Sequence, residues 1–300
     1  MKIIQKKTDL EKVDYSITIG NFDGVHLGHR ELLSLLDVKN KTIVYTFNSH
    51  PNGNHQKKKF KLLTTPLEKE FLLKKLNIEY LFLLELSNDL LQLSPIEFLR
   101  KYLPEKKFVK QIVVGADFAF GKNRTGTVET LRQYFESALI KVCDFKKNEN
   151  KKISSSSLRN NIINGDLKKF ELLTSSKYFF INKIEKGNQL GRTIGFPTIN
   201  LRVSDIKLLP PYGVYLSTIT HNNNIYFSIT NIGKNPTIDD KNNPKVESYI
   251  INYHSDFDFD KCIIKLEIIK FIRFEMKFNS LEKLKDQIAL DLKVGRKCYI

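Results

Sequence analysis

The 300-residue sequence predicts an α/β domain with a doubly wound parallel sheet, followed by a small closed β-barrel. Up to about Gly165, short apolar runs of strand type alternate with amphipathic helical segments, and such alternation requires crossover connections between parallel strands. Beyond it, strand-like runs follow one another without intervening helices, which is typical of a small barrel. We place the boundary so that the domains are residues 1–174 and 175–300, each long enough to bury its own core.

The first half shows both periodicities in turn. Helices are predicted at His29–Leu36 and Pro66–Leu76, where leucines recur at helical spacing. A further helix begins at Ser94, because Ser94, Pro95 and Glu97 form a capping box with proline at the first helical position. The predicted strands are Tyr15–Ile19, Thr42–Phe47, Tyr80–Leu84 and Gln111–Val114.

In the second half, Asn, Gly, Pro and Asp clusters separate the strand-like runs. A last amphipathic helix is predicted over Ser280–Leu292, which places its apolar residues on one face. The predicted strands are Tyr178–Glu185, Gly213–Thr220, Ile225–Thr230, Lys245–Tyr253 and Cys262–Arg273.

Composition narrows the function classes. The net charge of +16 comes mostly from lysine, since only 9 of the 49 basic residues are Arg, and this favours polyphosphate substrates over nucleic acid. Cys143, Cys262 and Cys298 have neither metal nor disulfide spacing, so we expect a reducing, cytoplasmic setting. The first residues are charged and the apolar windows are too short to span a bilayer, so we expect no membrane partner. The oligomeric state stays open.

The sharpest chemical signal is the segment Gly20–His29, between a predicted strand and a predicted helix. Its glycines, Gly20, Gly24 and Gly28, let the backbone turn tightly and approach a phosphate closely. The start of the helix supplies free N–H groups and partial positive charge, which together form an anion site. His26 and His29, three residues apart, can both face that anion and stabilise charge on a phosphate during transfer.

This segment resembles the HxGH signature of the nucleotidylyltransferase superfamily, in its FAD synthetase branch. The resemblance implies that His26 and His29 are catalytic and bind the ATP phosphates while a nucleophile attacks the α-phosphorus and pyrophosphate leaves. It implies a nucleotide site that includes Gly20, Asn21, Phe22, Asp23, Gly24 and Gly28.

Two later segments resemble the same branch. Gly115–Gly121 matches its glycine-bounded segment after a central strand, and Asp117 there stands where open α/β sheets bind ligands. The segment Ile153–Arg159 resembles the ISSTxIR motif, in which serines cap a helix and bind phosphate and Arg159 binds the leaving pyrophosphate. Its candidate ligands are Ser154, Ser155 and Ser156, the last in place of the motif's threonine.

The second half carries its own set of motifs. A glycine-rich stretch ends in Pro197, Thr198 and Asn200, and it resembles the riboflavin kinase motif GRxxGxPTAN. On that resemblance Thr198 and Asn200 help to hold Mg²⁺-bound ATP; because both offer only neutral oxygens, the ion should bind mainly through the phosphates and water. The other candidate ligands of this stretch are Gly187, Gly191, Arg192 and Gly195.

Further riboflavin kinase motifs follow in order. Asn231 opens a stretch similar to NIGxxPTF, and Arg273 lies in one similar to IRxExKF. Val246 and Glu247 come before a strand beginning at Ser248 and resemble the segment of the catalytic glutamate, which accepts the proton of the ribityl 5′-hydroxyl. The family's histidine two residues after that glutamate is Tyr249 here.

Together the resemblances imply a Rossmann-like nucleotidylyltransferase domain followed by a six-stranded antiparallel riboflavin kinase barrel with a C-terminal helix. The implied enzyme uses ATP to phosphorylate riboflavin to FMN and then to adenylylate FMN to FAD. Two alternatives stay open: only the adenylyltransferase is active, or the chain is a flavin- or nucleic-acid-binding regulator on this scaffold.

Overall fold

A computed structural model of the chain divides into two compact units, Met1–Leu158 and Arg159–Ile300. No helix among the described residues is long and apolar enough to cross a membrane. The division lies earlier than the predicted domain boundary at 174, which stays a prediction. The structure describes residues 1–49, 60–144, 147–148, 151–185, 196–234, 244–251 and 262–296.

The first unit is built on a six-stranded sheet in the order β1-β4-β3-β2-β5-β6, in which every neighbouring pair is parallel. This confirms the predicted doubly wound sheet. The two edge strands, β1 and β6, were not predicted, because one is only three residues long and the other is largely exposed. The strands are β1 Lys2–Ile4, β2 Tyr15–Ile19, β3 Lys41–Phe47, β4 Tyr80–Leu84, β5 Val109–Gly115 and β6 Leu139–Cys143.

Short helices connect these strands. Thr65 and Ser94 each close a capping box with a glutamate three residues later, ahead of a proline at the helix start, as the sequence predicted for Ser94. A two-stranded ladder of β7 (Lys147–Asn148) and β8 (Lys151–Lys152) follows β6. The helices are α1 Leu27–Ser34, α2 Pro66–Lys75, α3 Asn88–Gln92, α4 Pro95–Tyr102 and α5 Val128–Tyr134.

The central strands are buried on both faces. All five residues of β2 are buried, and its Ile17 packs with Ile43, Phe82 and Ile112 of neighbouring strands in one core cluster. The strand order reverses around β2, which has β3 on one side and β5 on the other. In such sheets ligands bind outside the carboxyl ends of the strands at this reversal, so the fold places the Gly20–His29 segment at a binding crevice.

The second unit contains a closed barrel in the order β10-β13-β12-β11-β14-β9, as predicted. Its hairpin between β11 and β12 turns at Asn222 and Asn223, both with positive φ, a backbone conformation that asparagine tolerates. Helix α6 (Ser155–Ile163) crosses the division between the units, α7 (Leu167–Thr174) precedes the barrel, and α8 (Leu281–Arg296) follows it. The strands are β9 Phe179–Glu185, β10 Thr198–Leu201, β11 Gly213–His221, β12 Asn224–Lys234, β13 Pro244–Ile250 and β14 Ile263–Phe274.

Helix α8 packs on the outer face of the barrel. Its Leu292 joins a cluster with Val214, Leu216 and Ile229 of the barrel strands. In β13 the buried residues alternate with partly exposed ones, and Tyr249 of the partly exposed set packs against that same cluster. The alternate side chains of β13 therefore lie on the outer face, the one that α8 partly covers.

Candidate active sites

The loop after β2 makes a tight turn before α1. Gly24 has φ +81°, and a Cβ at this position would come within 2.9 Å of the Leu63 side chain, so glycine suits both the backbone and the space. His26 is the N-cap of α1, and its Nδ1 accepts a hydrogen bond of 3.2 Å from the backbone N–H of His29. The helix starts two residues earlier than predicted, which makes one of the two histidines its cap.

The two histidines of this loop are in contact. The rings of His26 and His29 are stacked, with centroids 3.6 Å apart and planes within 12°. Burial lowers the pKa of His26 to about 4, partly opposed by the nearby Asp23 carboxylate. Burial, then the neighbouring His26 and Lys69, holds the pKa of His29 well below its usual value. Both imidazoles are therefore neutral at pH 7, and His26, whose Nδ1 is an acceptor, carries its proton on Nε2.

A cavity of about 260 Å³ opens beside these rings at the carboxyl ends of β2, β5 and β6. The Nδ1 of His29 and the Oδ1 of Asn21 are buried there and have no hydrogen-bond partner within the described part of the chain. Such orphaned polar atoms suit a polar ligand. The predicted residues that line the cavity are Gly20, Asn21, Phe22, His26, Gly28, His29, Asp117, Ser154 and Ser155.

The cavity also has walls that the sequence analysis missed. Cys143 and Asp144, at the end of the unpredicted strand β6, line it, as do Phe118 and Lys152. Lys152 forms a 2.7 Å ion pair with Asp117, and both side chains are substantially exposed. The pair adds one charge of each sign to the rim of the cavity. Cys143 and Asp144 could have been expected at the cavity only if β6 had been predicted, because they lie at its carboxyl end.

Four predicted residues do not line this cavity. The buried carboxylate of Asp23 accepts hydrogen bonds from the backbone N–H groups of Leu63 and Thr64, at 3.2 and 2.9 Å, which ties the loop to the segment before α2. The hydroxyl of Ser155 donates to the Asp23 carbonyl at 2.8 Å, so the serine segment is anchored to the same loop. The other three residues are Gly24 in the turn, Ser156 in an exposed position on α6, and Arg159 one turn further along that helix.

In the barrel, Glu247 is the centre of a row of polar side chains. It lies within β13, directly opposite Asn200 of β10 and Asn231 of β12. Opposite residues of antiparallel strands share a face, so the three side chains are neighbours on the outer face. The strand predicted over Lys245–Tyr253 includes Glu247, as β13 does, whereas the expectation that Glu247 precedes a strand beginning at Ser248 was wrong: β13 begins at Pro244. Burial raises the pKa of Glu247, partly opposed by Lys245.

Arg273 of β14 extends the same row, because Val214 of β11 lies opposite both Asn231 of β12 and Arg273. Its guanidinium is held by Asp291 of α8 in a bidentate pair, with Nε–Oδ1 and Nη2–Oδ2 distances of 2.9 and 2.8 Å. Gln287 donates to the same carboxylate at 3.0 Å. Arg273, Asp291 and Gln287 thus form a network that fixes the helix to the barrel and sets the direction of Arg273.

The rest of the predicted kinase site is described only in part. Pro197 is exposed at the start of β10, and Thr198 lies opposite Tyr249, whose ring meets Phe196 edge-on at 5.3 Å. Thr198 and Asn200 alternate along β10 and share the face of Glu247. Gly187, Gly191, Arg192 and Gly195 lie outside the described residues.

The donor set of this face fits a hard divalent cation held mainly by a nucleotide. Thr198 and Asn200 supply a neutral hydroxyl and amide oxygen, beside the carboxylate opposite Asn200. Among the described residues no group of three or more His, Cys, Asp or Glu side chains could hold a metal ion by itself. The residues present therefore suit Mg²⁺ that arrives with nucleotide phosphates.

A parallel sheet with paired histidines at its strand reversal, and a closed barrel with a glutamate between two amides, define a two-unit nucleotide-dependent transferase. A family model described as FAD synthetase matches residues 8–157, and one described as riboflavin kinase matches residues 174–299. The chain belongs to the family of bifunctional riboflavin kinase/FMN adenylyltransferases.

Relatives and a solved structure agree over nearly the whole length. The bifunctional riboflavin kinase/FMN adenylyltransferase of Bacillus subtilis is 34% identical, covering 94% of this chain and 91% of that protein. The enzyme of the same name from Listeria monocytogenes is 32% identical, covering 95% and 91%. A crystal structure from Streptococcus pneumoniae, named there as a macrolide-efflux protein, has a TM-score of 0.82 at 30% identity and covers 98% of each chain. The likeness to that structure is one of fold.

Proposed function

We propose that this chain phosphorylates riboflavin to FMN with ATP and adenylylates FMN to FAD with a second ATP, releasing pyrophosphate. The observation that carries the proposal is that each unit has its own cluster of matching residues: the stacked histidines in the first, and Glu247 between Asn200 and Asn231 in the second. Neither cluster contains a group that must form a covalent intermediate, so positioning and charge stabilisation perform both transfers.

For the adenylyl transfer, the FMN phosphate oxygen attacks the α-phosphorus of ATP, and the bond to pyrophosphate breaks. His26 and His29, neutral at pH 7, serve as hydrogen-bond donors to the phosphate oxygens as negative charge builds up. The N-terminus of α1 supplies backbone N–H groups and partial positive charge at the same place. Ser154 and Ser155 line the same cavity and suit the phosphate groups, and we assign the pyrophosphate to Arg159 by resemblance alone.

For the phosphoryl transfer, Glu247 accepts the proton of the ribityl 5′-hydroxyl as that oxygen attacks the γ-phosphorus and ADP leaves. Its raised pKa brings the carboxylate closer in basicity to what a general base needs at neutral pH. Asn200, directly opposite, and Thr198 on the same strand face would hold Mg²⁺-bound ATP. When bound, Mg²⁺ neutralises charge on the phosphates. We also propose that the enzyme acts in the cytoplasm and that its partners are its small-molecule substrates.

One experiment tests the proposal: the pure protein is incubated with riboflavin, ATP and Mg²⁺, and FMN and FAD are separated. We expect both products, with FMN appearing first. A parallel reaction that starts from FMN isolates the adenylyl transfer. A protein that forms neither product refutes the proposal.

A second candidate is an enzyme that only adenylylates FMN. The observation that favours it is Tyr249, which stands where the family has a histidine and packs its ring on Phe196 beside the predicted kinase loop. Conversion of FMN to FAD without conversion of riboflavin to FMN would establish this candidate.

A further inference from the structure

Lys69 of α2 is a buried cation that the proposed mechanism does not use. Its side chain is only 1% exposed. Its ammonium group donates three hydrogen bonds, to the carbonyl of Asn21 at 2.8 Å, the hydroxyl of Thr46 at 2.9 Å and the carbonyl of Phe47 at 3.0 Å. All three N–H donors of the lysine are thus used, and all three acceptors are neutral oxygens.

These acceptors belong to the frame of the nucleotide cavity. Asn21 lines the cavity in the loop after β2, whereas Thr46 and Phe47 end the neighbouring strand β3. The Thr46 hydroxyl also donates to the Asn21 carbonyl at 2.9 Å, so this carbonyl accepts two hydrogen bonds. Lys69 therefore fixes the loop to the end of β3 from behind the cavity.

The positive charge of Lys69 acts on the cavity as well. Burial lowers the pKa of Lys69 to about 8, and the carboxylate of Asp23 opposes this only in part. That carboxylate already accepts hydrogen bonds from the Leu63 and Thr64 backbone. The charge of Lys69 also contributes to the lowered pKa of His29, which lines the cavity. A buried cation without a hydrogen-bonded carboxylate is costly to desolvate, and an anion bound nearby offsets that cost.

We propose that Lys69 is a positioning residue of the adenylyl transfer, which holds the Asn21 loop in place and lends a buried positive charge to the binding of the ATP polyphosphate. The inference rests on the proposed function of this cavity. Because its three donors are occupied, Lys69 acts through the loop and through its electrostatic field. It does not touch the phosphates.

This role makes ATP binding depend on pH. Loss of the Lys69 proton as pH rises past about 8 removes the charge and weakens binding of the anion. Since a phosphate has its last pKa at about 6, the charge of ATP is constant in that range. Within the part of the chain that the structure describes, the other titratable groups around Lys69 and the cavity are Asp23, His26, His29, Lys152, Asp117, Asp144, Cys143 and, on its own helix, Glu68. Of these, the thiol, with an ordinary pKa of about 8.5, requires a control.

The test is the KM for ATP in FAD formation from FMN, measured from about pH 7 to about pH 9.5, a range that spans the Lys69 pKa of about 8. In the wild type we expect KM to rise above pH 8. Lys69→Met should raise KM at pH 7 by about 10- to 100-fold, the order expected when a unit charge that attracts the bound anion at a distance through the protein is removed, and it should make KM independent of pH. Lys69→Arg, whose charge does not titrate, should keep KM low throughout. Cys143→Ala should retain the wild-type rise.

Thr46→Val is the matched structural control. It removes one acceptor of Lys69 and one donor to Asn21, so the loop is held less firmly and kcat should fall. Because the variant keeps the charge of Lys69, the rise of KM above pH 8 should persist. Circular dichroism and a single cooperative unfolding transition of the same preparations report whether each variant is folded, because riboflavin phosphorylation belongs to the other unit. If Lys69→Met does not fold, the dependence of KM on pH in the wild type and in Cys143→Ala still tests the inference.

Two results would overturn the inference: a wild-type KM that stays flat to pH 9.5, or a folded Lys69→Met protein with the wild-type KM and pH profile. A rise of KM that disappears in Cys143→Ala would also overturn it, because the thiol would then be the titrating group. If the wild type makes no FAD from FMN, the proposed function fails instead, so the two failures are distinct.

Discussion

Glu247 lies directly opposite Asn200 where strands β13 and β10 pair in the barrel. The pairing brings the proposed general base next to a proposed ligand of Mg²⁺-bound ATP, although the two residues are far apart in the sequence. Because opposite residues share a face of the sheet, both side chains lie on the outer face that α8 partly covers. The kinase chemistry can therefore be assigned to one strand pair and tested there.

Glu247→Gln should lower riboflavin kinase turnover by about 10²- to 10⁴-fold, the usual contribution of general base catalysis. Glutamine keeps the shape of the side chain and its hydrogen bonds, but it cannot take up the proton. FAD formation from FMN should be unchanged. Glu267→Gln, on strand β14 of the same barrel and paired with Lys265, is the matched control and should keep normal turnover. A Glu247→Gln enzyme with near-normal turnover contradicts the role of general base.

The raised pKa of Glu247 gives this prediction a pH signature. Kinase turnover should increase with pH through an inflection above the ordinary glutamate value of 4.5, and the inflection should be absent from the residual activity of Glu247→Gln. Stability should follow the same titration. Because the folded state favours the protonated acid, its free energy of unfolding falls as pH rises from the unfolded pKa through the folded one.

The stability difference is measurable by thermal unfolding of the two proteins at several pH values. At low pH both side chains are neutral, so wild type and Glu247→Gln should melt together. At neutral pH the wild type must hold a half-buried carboxylate, so the glutamine variant should melt higher. A wild type that gains stability over the variant as pH rises would show that the carboxylate is favourably paired in the fold.

Two substitutions separate the structural and chemical roles of His26. His26→Ala removes the cap of α1 and should cost about 0.5 to 2 kcal/mol of unfolding free energy. His26→Asn restores a capping oxygen and should recover most of that stability, while FAD formation stays as low as in His26→Ala. Denaturant unfolding and FMN adenylylation by each variant measure the two effects. An asparagine variant with wild-type FAD formation would reduce His26 to a helix cap.

Much of this fold could be read from the sequence, because the long periodic segments and the strong turn residues act locally. The capping box at Ser94 and the asparagine turn between β11 and β12 are examples. Among the strands that were missed, β1, β6 and β10 are short or exposed segments whose strand state comes from pairing with distant residues.

The site was predictable to the extent that its residues fall within continuous motifs. His26 and His29 are in one string, so their proximity followed from the sequence. Lys69 is an ordinary lysine of an amphipathic helix until the fold buries it against Asn21 and Thr46, and Cys143 reaches the cavity only through β6. Such contributions depend on tertiary contacts, which no local pattern encodes.

The central claim is that one chain carries two independent transferase sites. It is tested most directly by the products that His29→Ala forms from riboflavin, ATP and Mg²⁺. Because His29 lies in the first unit and Glu247 in the second, the variant should convert riboflavin to FMN at close to the wild-type rate and accumulate it without forming FAD. Loss of both activities together, in a His29→Ala protein that unfolds with normal cooperativity, would contradict the claim.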